Sequence, residues 1–166
     1  MPELAFIALG SNIEPVSNLS RAIARLASLG SLIATSHVYQ NPAITSEPQP
    51  DYLNAAALLE TDLQPLALRE RFRTLEASLG RVRGADPYAP RTIDLDLCLY
   101  GSHILAHPLL EIPDPDILTR PHLAVTLAEL RPDFLHPQTG ETLAAIAERL
   151  RPQAKLTLRE DVVLRA

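Results

Sequence analysis

Residues 92–100 read Thr-Ile-Asp-Leu-Asp-Leu-Cys-Leu-Tyr, and this short stretch decides the fold. Ile93, Leu95, Leu97 and Leu99 alternate with Asp94, Asp96 and Cys98, the period of a β-strand with one apolar and one polar face. The strand predicted over Thr92–Tyr100 closes a series that can be followed backwards. Arg81–Pro90 is a turn-rich loop, and before it Leu68, Phe72, Leu75 and Leu79 recur at helical spacing. Gly80 stops that helix, and Arg69, Arg73 and Glu76 fall on another face of it, expected to be exposed. Tyr52–Glu60 is ambiguous, because its alanines favour helix, but Thr61, Asp62 and Pro65 mark a fresh helix start just after it. It is therefore read as a strand. Gln40–Asp51 carries Pro42, Pro48 and Pro50 and reads as a loop, and Leu32–Tyr39 as a strand. Leu19, Ile23 and Leu26 give an earlier helix, capped by Ser17 or Asn18 and stopped near Gly30. Glu3–Leu9 is an apolar first strand ending in the turn Gly10-Ser11-Asn12.

The order βαββαβ gives an α+β fold with a ferredoxin-like core, an antiparallel sheet with both helices on one face. A helical extension follows at the C-terminus. Pro108, Pro113, Pro115 and Pro121 imply a long connection, then helices over Leu123–Leu130 and Leu143–Leu150 with a turn at Pro137–Gly140 between them. Lys155–Leu158 reads as a last short strand. At roughly 100–200 residues per domain, residues 1–166 are expected to form a single domain, able to bury about 70% of its unfolded surface.

Composition narrows the function. Hydrophobic residues make up 46% and charged ones 21%, with a mean hydropathy of +0.04, which excludes disorder and coiled coil for the whole chain. No apolar run is long enough to cross a bilayer, and no signal-peptide pattern follows Met1. Cys98 is the only cysteine, so an internal disulfide and a Cys-rich zinc site are excluded, and a reducing cytoplasmic location is expected. A net charge of −5 argues against nucleic acid or anionic membrane as a partner. All but one of the 15 cationic side chains are Arg, however, and Arg69, Arg71, Arg73, Arg81, Arg83 and Arg91 crowd into one window. Arg is the planar, permanently charged donor suited to phosphate.

On the fourth strand Asp94 and Asp96 share a face, their Cα atoms roughly 7 Å apart at a rise of about 3.3–3.4 Å per residue. Two such carboxylates suit Mg²⁺, which takes one or two protein carboxylates and completes its shell with water and phosphate. By spacing alone they are equally the solvated face of an edge strand. The flanking Arg81, Arg83 and Arg91 favour phosphate chemistry, since metal and guanidinium together stabilise charge on a transferring group. No GxxxxGK[ST] is present, which removes the P-loop solution.

Gly80-Arg-Val-Arg, Pro90-Arg-Thr-Ile-Asp-Leu-Asp-Leu, Ala8-Leu-Gly-Ser-Asn and Pro50-Asp-Tyr-Leu-Asn-Ala together resemble the 6-hydroxymethyl-7,8-dihydropterin pyrophosphokinase family, from about Leu4 to about Glu141. The resemblance implies a ferredoxin-like fold and transfer of the β,γ-diphosphate of ATP to the hydroxymethyl group of the dihydropterin, releasing AMP, in folate biosynthesis. It implies that Asp94 and Asp96 bind two Mg²⁺ ions, with Arg81 and Arg91 on the phosphates as catalytic groups. Arg73, Glu76, Arg83, Asp114 and Arg120 would contact ATP. Tyr52 and Asn54 would stack on and hydrogen-bond to the pterin, with Pro42 and Ile44 walling it. A monomer is expected, with these two small molecules as its only partners.

Three positions depart from the family pattern: Tyr88 stands where the second loop often has Trp, and the other two lie further on. Leu110-Glu-Ile-Pro-Asp-Pro places Asp114 where a His is usual, and His122 follows Pro121 where a second stacking aromatic is usual. They support a rival reading, a divergent pterin- or nucleotide-binding member with altered or no activity. A ferredoxin-like RNA-binding module is a remoter one, since it wants aromatics where Asp94 and Asp96 stand.

Overall fold

A computed structural model describes residues 1–43 and 47–165. The elements are β1 (Glu3–Ser11), α1 (Pro15–Leu26), β2 (Ser31–Thr35), β3 (Tyr39–Asn41), β4 (Tyr52–Thr61), α2 (Pro65–Ser78), β5 (Asp94–Tyr100), β6 (Leu105–His107), β7 (Leu110–Ile112), a 3-10 turn (Pro115–Leu118), α3 (Pro121–Leu130), α4 (Leu143–Leu150) and β8 (Thr157–Leu158). The sheet runs β5-β1-β4-β3-β8, with β2 also on β4, and all its pairings are antiparallel. This is the ferredoxin-like arrangement expected.

Both sheet faces are buried. Ala5, Ile7 and Leu9 of β1 and Leu53, Ala55, Ala57 and Leu59 of β4 pack against Leu19, Ile23 and Leu26 of α1 and Leu68, Phe72 and Leu75 of α2. Phe6, Ala56 and Leu58 point the other way, onto Leu123, Leu127, Leu143 and Ile146 of α3 and α4. Burial on both faces explains why β4 lacks alternation and why its alanines do not make it helical. The C-terminal extension thus covers the second face, and Tyr52, Asn54, Asp94 and Asp96 share that face.

Several local expectations are corrected. The second strand is interrupted: β2 ends at Thr35 and β3 begins at Tyr39, with the Ser36 N–H and hydroxyl holding the break against Ala56. α1 starts at Pro15, earlier than Ser17 or Asn18. Glu14 precedes it at φ 42°, and Asn18 is buried inside the first turn, donating to the Ile13 carbonyl at 2.7 Å. β5 starts at Asp94, and its alternation fails at a bulge where Phe6 and Ile7 face Leu99 and Leu97. Cys98 is the extra residue, so Leu99 joins Cys98 on the second face and Tyr100 turns to the first. The β6–β7 hairpin was not expected in so proline-rich a segment.

Gly30 does not stop α1, which ends at Leu26. Its lack of a side chain serves packing: a Cβ there would lie 2.2 Å from the Glu60 carbonyl oxygen. Gly30→Ala is expected to destabilise the protein by about 1–3 kcal/mol, the cost of overpacking against a backbone that cannot retreat. Thermal unfolding should show a lower midpoint, whereas Gly84→Ala, in open space, should not move it.

Candidate active site

The construction begins where α2 stops. Gly80, at φ +88°, carries the chain through a left-handed turn in which its N–H bonds the Ala77 carbonyl at 3.0 Å and the Arg81 N–H bonds the Glu76 carbonyl at 3.1 Å. This helix-terminating pattern swings Arg81 back beside Glu76. Contrary to expectation, Glu76 is not on an exposed face. It is 2% exposed, because β5 is an edge strand and Glu76 seals it, its Oε2 accepting the Leu95 N–H at 2.9 Å. The same carboxylate takes Arg81 at 3.0 Å and Arg83 at 2.6 Å.

Arg81 then reaches across the edge to Asp94, donating to Oδ1 at 2.8 Å and to the Ile93 carbonyl at 3.2 Å. Arg91 donates to the other oxygen of Asp94, also at 2.8 Å. The Arg91 backbone is fastened to Asn12 by two bonds, Arg91 N–H to Asn12 Oδ1 at 2.8 Å and Asn12 N–H to the Arg91 carbonyl at 3.1 Å. Asn12 also donates to Gln49 at 2.9 Å, and Gln49 donates to the Tyr88 carbonyl, so one side chain joins the two long loops.

Asp96 lacks such compensation. Solvent reaches it from the cleft, but protein surrounds it elsewhere. That burial, followed by the charges of Asp94, Asp114 and Glu76, pushes its carboxyl up to about 7. Across β1, Tyr52 and Asn54 lie over Gly10, where a Cβ would meet Asn54 Oδ1 at 3.0 Å and Tyr52 Cδ1 at 3.6 Å. Asn54 donates to Asn41 Oδ1. Burial raises the Tyr52 hydroxyl above its usual range.

The far wall comes from the segment before α3. Asp114 Oδ1 accepts the Asp116 N–H at 2.9 Å and so caps the 3-10 turn, and burial raises its carboxyl. Arg120 pairs with Asp116 at 3.3 Å, and no ion pair joins it to Asp114. Burial, helped by Arg120, pushes His122 down to about 4, so its imidazole is neutral at pH 7.

Of the residues singled out from sequence, Pro42, Tyr52, Asn54, Arg73, Arg81, Arg83, Arg91, Asp94, Asp96, Asp114, Arg120 and His122 all line one cleft of about 710 Å³. Glu76 supports it from behind. Ile44 lies outside the described residues. Asn12, Gln49 and Arg69 were missed as site residues: Asn12 stood in a quoted motif without a role, and Gln49 in a loop carries no periodic signal. Among the described residues no group of three His, Cys, Asp or Glu forms a metal cage. Asp94 and Asp96 still fit Mg²⁺, which needs only one or two carboxylates, and the uncompensated Asp96 favours a cation beside it.

Comparison with known proteins identifies the family. Residues 6–132 match the model of the 7,8-dihydro-6-hydroxymethylpterin-pyrophosphokinase family. The 2-amino-4-hydroxy-6-hydroxymethyldihydropteridine pyrophosphokinase of Synechocystis is 38% identical over 149 residues, covering 88% of this chain and 75% of that protein. The protein of the same name from Haemophilus influenzae is 38% identical over 138 residues, covering 81% and 86%. Among solved structures, wild-type HPPK-DHPS of Plasmodium falciparum with pteroate superposes with a TM-score of 0.72 at 13% identity. That alignment covers 96% of this chain but 47% of the solved one, and it speaks for the fold alone.

The raised Asp96 carboxyl makes a stability prediction. The folded protein holds this proton more tightly than the unfolded chain, whose carboxyl titrates near 4, so ionisation opposes folding. Without nucleotide or metal, stability should lose this contribution as pH rises from about 4 to about 7 and change no further above it. Asp96→Asn should therefore raise the unfolding midpoint at pH 8, and the gain should vanish near pH 4. A constant difference across that range would show that Asp96 ionises normally.

Proposed function

As the chain belongs to the 7,8-dihydro-6-hydroxymethylpterin-pyrophosphokinase family, we infer that its cleft transfers diphosphate from ATP to 6-hydroxymethyl-7,8-dihydropterin, releasing AMP, a step of folate biosynthesis. The observation that carries this reading is the juxtaposition, in one cleft, of two arginines on Asp94 with the Tyr52–Asn54 platform across β1. The hydroxymethyl oxygen attacks the β-phosphorus, the bond from that phosphorus to the oxygen bridging the α-phosphate breaks, AMP carries that oxygen away, and the hydroxyl proton passes to solvent.

Each wall has a task. Asp94 and Asp96 would hold Mg²⁺, two ions on the family pattern, and the metal supplies charge neutralisation to the phosphates. Arg81 is held in place by Glu76 and the Ile93 carbonyl, so its guanidinium needs little reorganisation to meet a phosphate. Arg91, fastened by Asn12, approaches from the opposite side of Asp94. Arg73, Arg83, Asp114 and Arg120 border the nucleotide, and Glu76 acts through the arginines it holds. Tyr52 supplies a ring face for the pterin and Asn54 a donor and acceptor for its polar edge, while Pro42 borders the same end of the cleft. Neutral His122, at the start of α3, covers the ring from the other side. Such transfers are loose in character, and positioning with charge stabilisation suffices without a strong protein base.

We take the enzyme to be monomeric and cytoplasmic. Its lone, buried Cys98 suits a reducing compartment, and among the described residues no helix is long and apolar enough to cross a membrane.

Incubation with ATP, Mg²⁺ and the pterin alcohol should yield AMP and diphosphorylated pterin in equal amounts. ADP in place of AMP would indicate a different transfer. Arg91→Ala should lower kcat by about 10²–10³-fold while the KM for ATP changes far less, since its charge is needed most on the transferring group. A change confined to KM would make Arg91 a ground-state contact.

A further inference from the structure

A second hollow of about 520 Å³ opens off the main cleft, sharing Arg69, Arg73, Arg81 and Arg83 with its wall and lined also by Glu76 and Ala77. Its charges do not balance. Glu76 is its one carboxylate, and Arg81, Arg83 and the Leu95 N–H already occupy it. Arg73, one turn back along α2, is half-buried and makes no hydrogen bond or ion pair with any described residue. A further turn back, Arg69 is 19% exposed, and its partner is the exposed Glu70 at a loose 3.7 Å.

A guanidinium in open solvent needs no counter-ion, but Arg69 and Arg73 are partly withdrawn from water and face the more exposed Arg83. Burial and then the charges of Arg83 and Arg69 weaken the hold of Arg73 on its proton, the response of a cation without compensation. Only an added anion relieves the arrangement. Three planar forks converging on one hollow match the several oxygens of a phosphate better than the two of a carboxylate.

We propose that Arg69, Arg73 and Arg83 form a second phosphate-binding site, adjoining but distinct from the Asp94–Asp96 floor. Its occupant is a phosphate group, either free or carried on the ribose of a nucleotide seated in the main cleft. Arg73 and Arg83 also border the nucleotide on the proposed function, but occupancy of this site is read by binding, without turnover. Failure of the AMP assay and failure of this proposal are therefore separate results.

The test is calorimetric titration of inorganic pyrophosphate into the full chain in EDTA, where no metal can bridge it to Asp94 and Asp96. Wild type should bind. Arg73→Gln and Arg69→Gln should each weaken binding by about tenfold or more, with partial recovery in Arg73→Lys, and Arg91→Gln should change it by less than about twofold. Nucleotides separate the two sources. If the phosphate is free, pyrophosphate still binds with AMP in place. If it is carried on ribose, adenosine 3′,5′-bisphosphate binds wild type more tightly than AMP does, loses that advantage in Arg73→Gln, and displaces pyrophosphate. Absence of pyrophosphate binding to wild type overturns the proposal, as does a loss that falls on Arg91→Gln instead of Arg73→Gln and Arg69→Gln.

Discussion

A single buried carboxylate, Glu76, joins the fold to the site. An edge strand exposes a row of unpaired backbone groups, and β5 has such an edge on the side away from β1. Glu76 takes the Leu95 N–H there, and this bond sets the distance between α2 and β5. A carboxylate so buried is tolerable only with donors around it, and Arg81 and Arg83 supply them. Two arginines are thereby drawn to the sheet edge by a structural need. Once there, the Arg81 Nη1 that meets Glu76 also reaches the Ile93 carbonyl and Asp94. Edge protection and phosphate chemistry use the same guanidinium.

The charges of the cleft are unevenly compensated. Asp94 receives two arginines, whereas Asp96, two residues on, meets mainly other carboxylates. Arg73 is the opposite case, a cation among cations. Such imbalance costs stability in the empty protein, because like charges face one another with no partner of opposite sign between them. A metal–phosphate complex brings both signs at once: a cation for Asp96, and anionic oxygens for the arginines. On the proposed function, the imbalance is a large part of what recognises the ligand, and it explains how a chain of net charge −5 attracts a polyanion.

Much of this was legible in the sequence because period and punctuation carry it. The alternation through Asp94 and Asp96 put both carboxylates on one face, and Gly80 marked the end of α2 where the left-handed turn occurs. Other features depend on partners distant in the chain. The bulge at Cys98 cannot be seen in Leu97-Cys98-Leu99, since all three are apolar and only pairing with Phe6 and Ile7 reveals the slip. Glu76 reads as an exposed helix residue because nothing nearby in sequence says that a sheet edge lies against it. The start of α1 at Pro15 had a signal, proline at the first helical position, but Glu14 with a positive φ is not a usual cap, and Asn18 competed for the role. Asn12 was unassigned because its partners, Gln49 and Arg91, come from two irregular loops.

The departures from the family pattern at Asp114 and His122 have physical accounts of different kinds. A carboxylate at position 114 opposes a nearby triphosphate only to the extent that it is ionised and free to point at it. Asp114 is not free to do so: Oδ1 is engaged by the Asp116 N–H at the start of the 3-10 turn, while burial raises its carboxyl above the usual range. Its first duty is to turn the chain from β7 towards α3. Arg120 pairs with Asp116 and also lies within electrostatic reach of Asp114, so removing the Asp114 charge would leave Arg120 its closer counter-ion. At position 122 the imidazole keeps a flat face, and its titration near 4 makes that face neutral across the physiological range. A charged ring there would add a cation beside Arg120; a neutral one adds only surface. Asp114 therefore adds to the negative charge that Asp96 meets, whereas His122 leaves the phosphate end nearly unchanged and gives up, against a larger aromatic, only contact area over the ring.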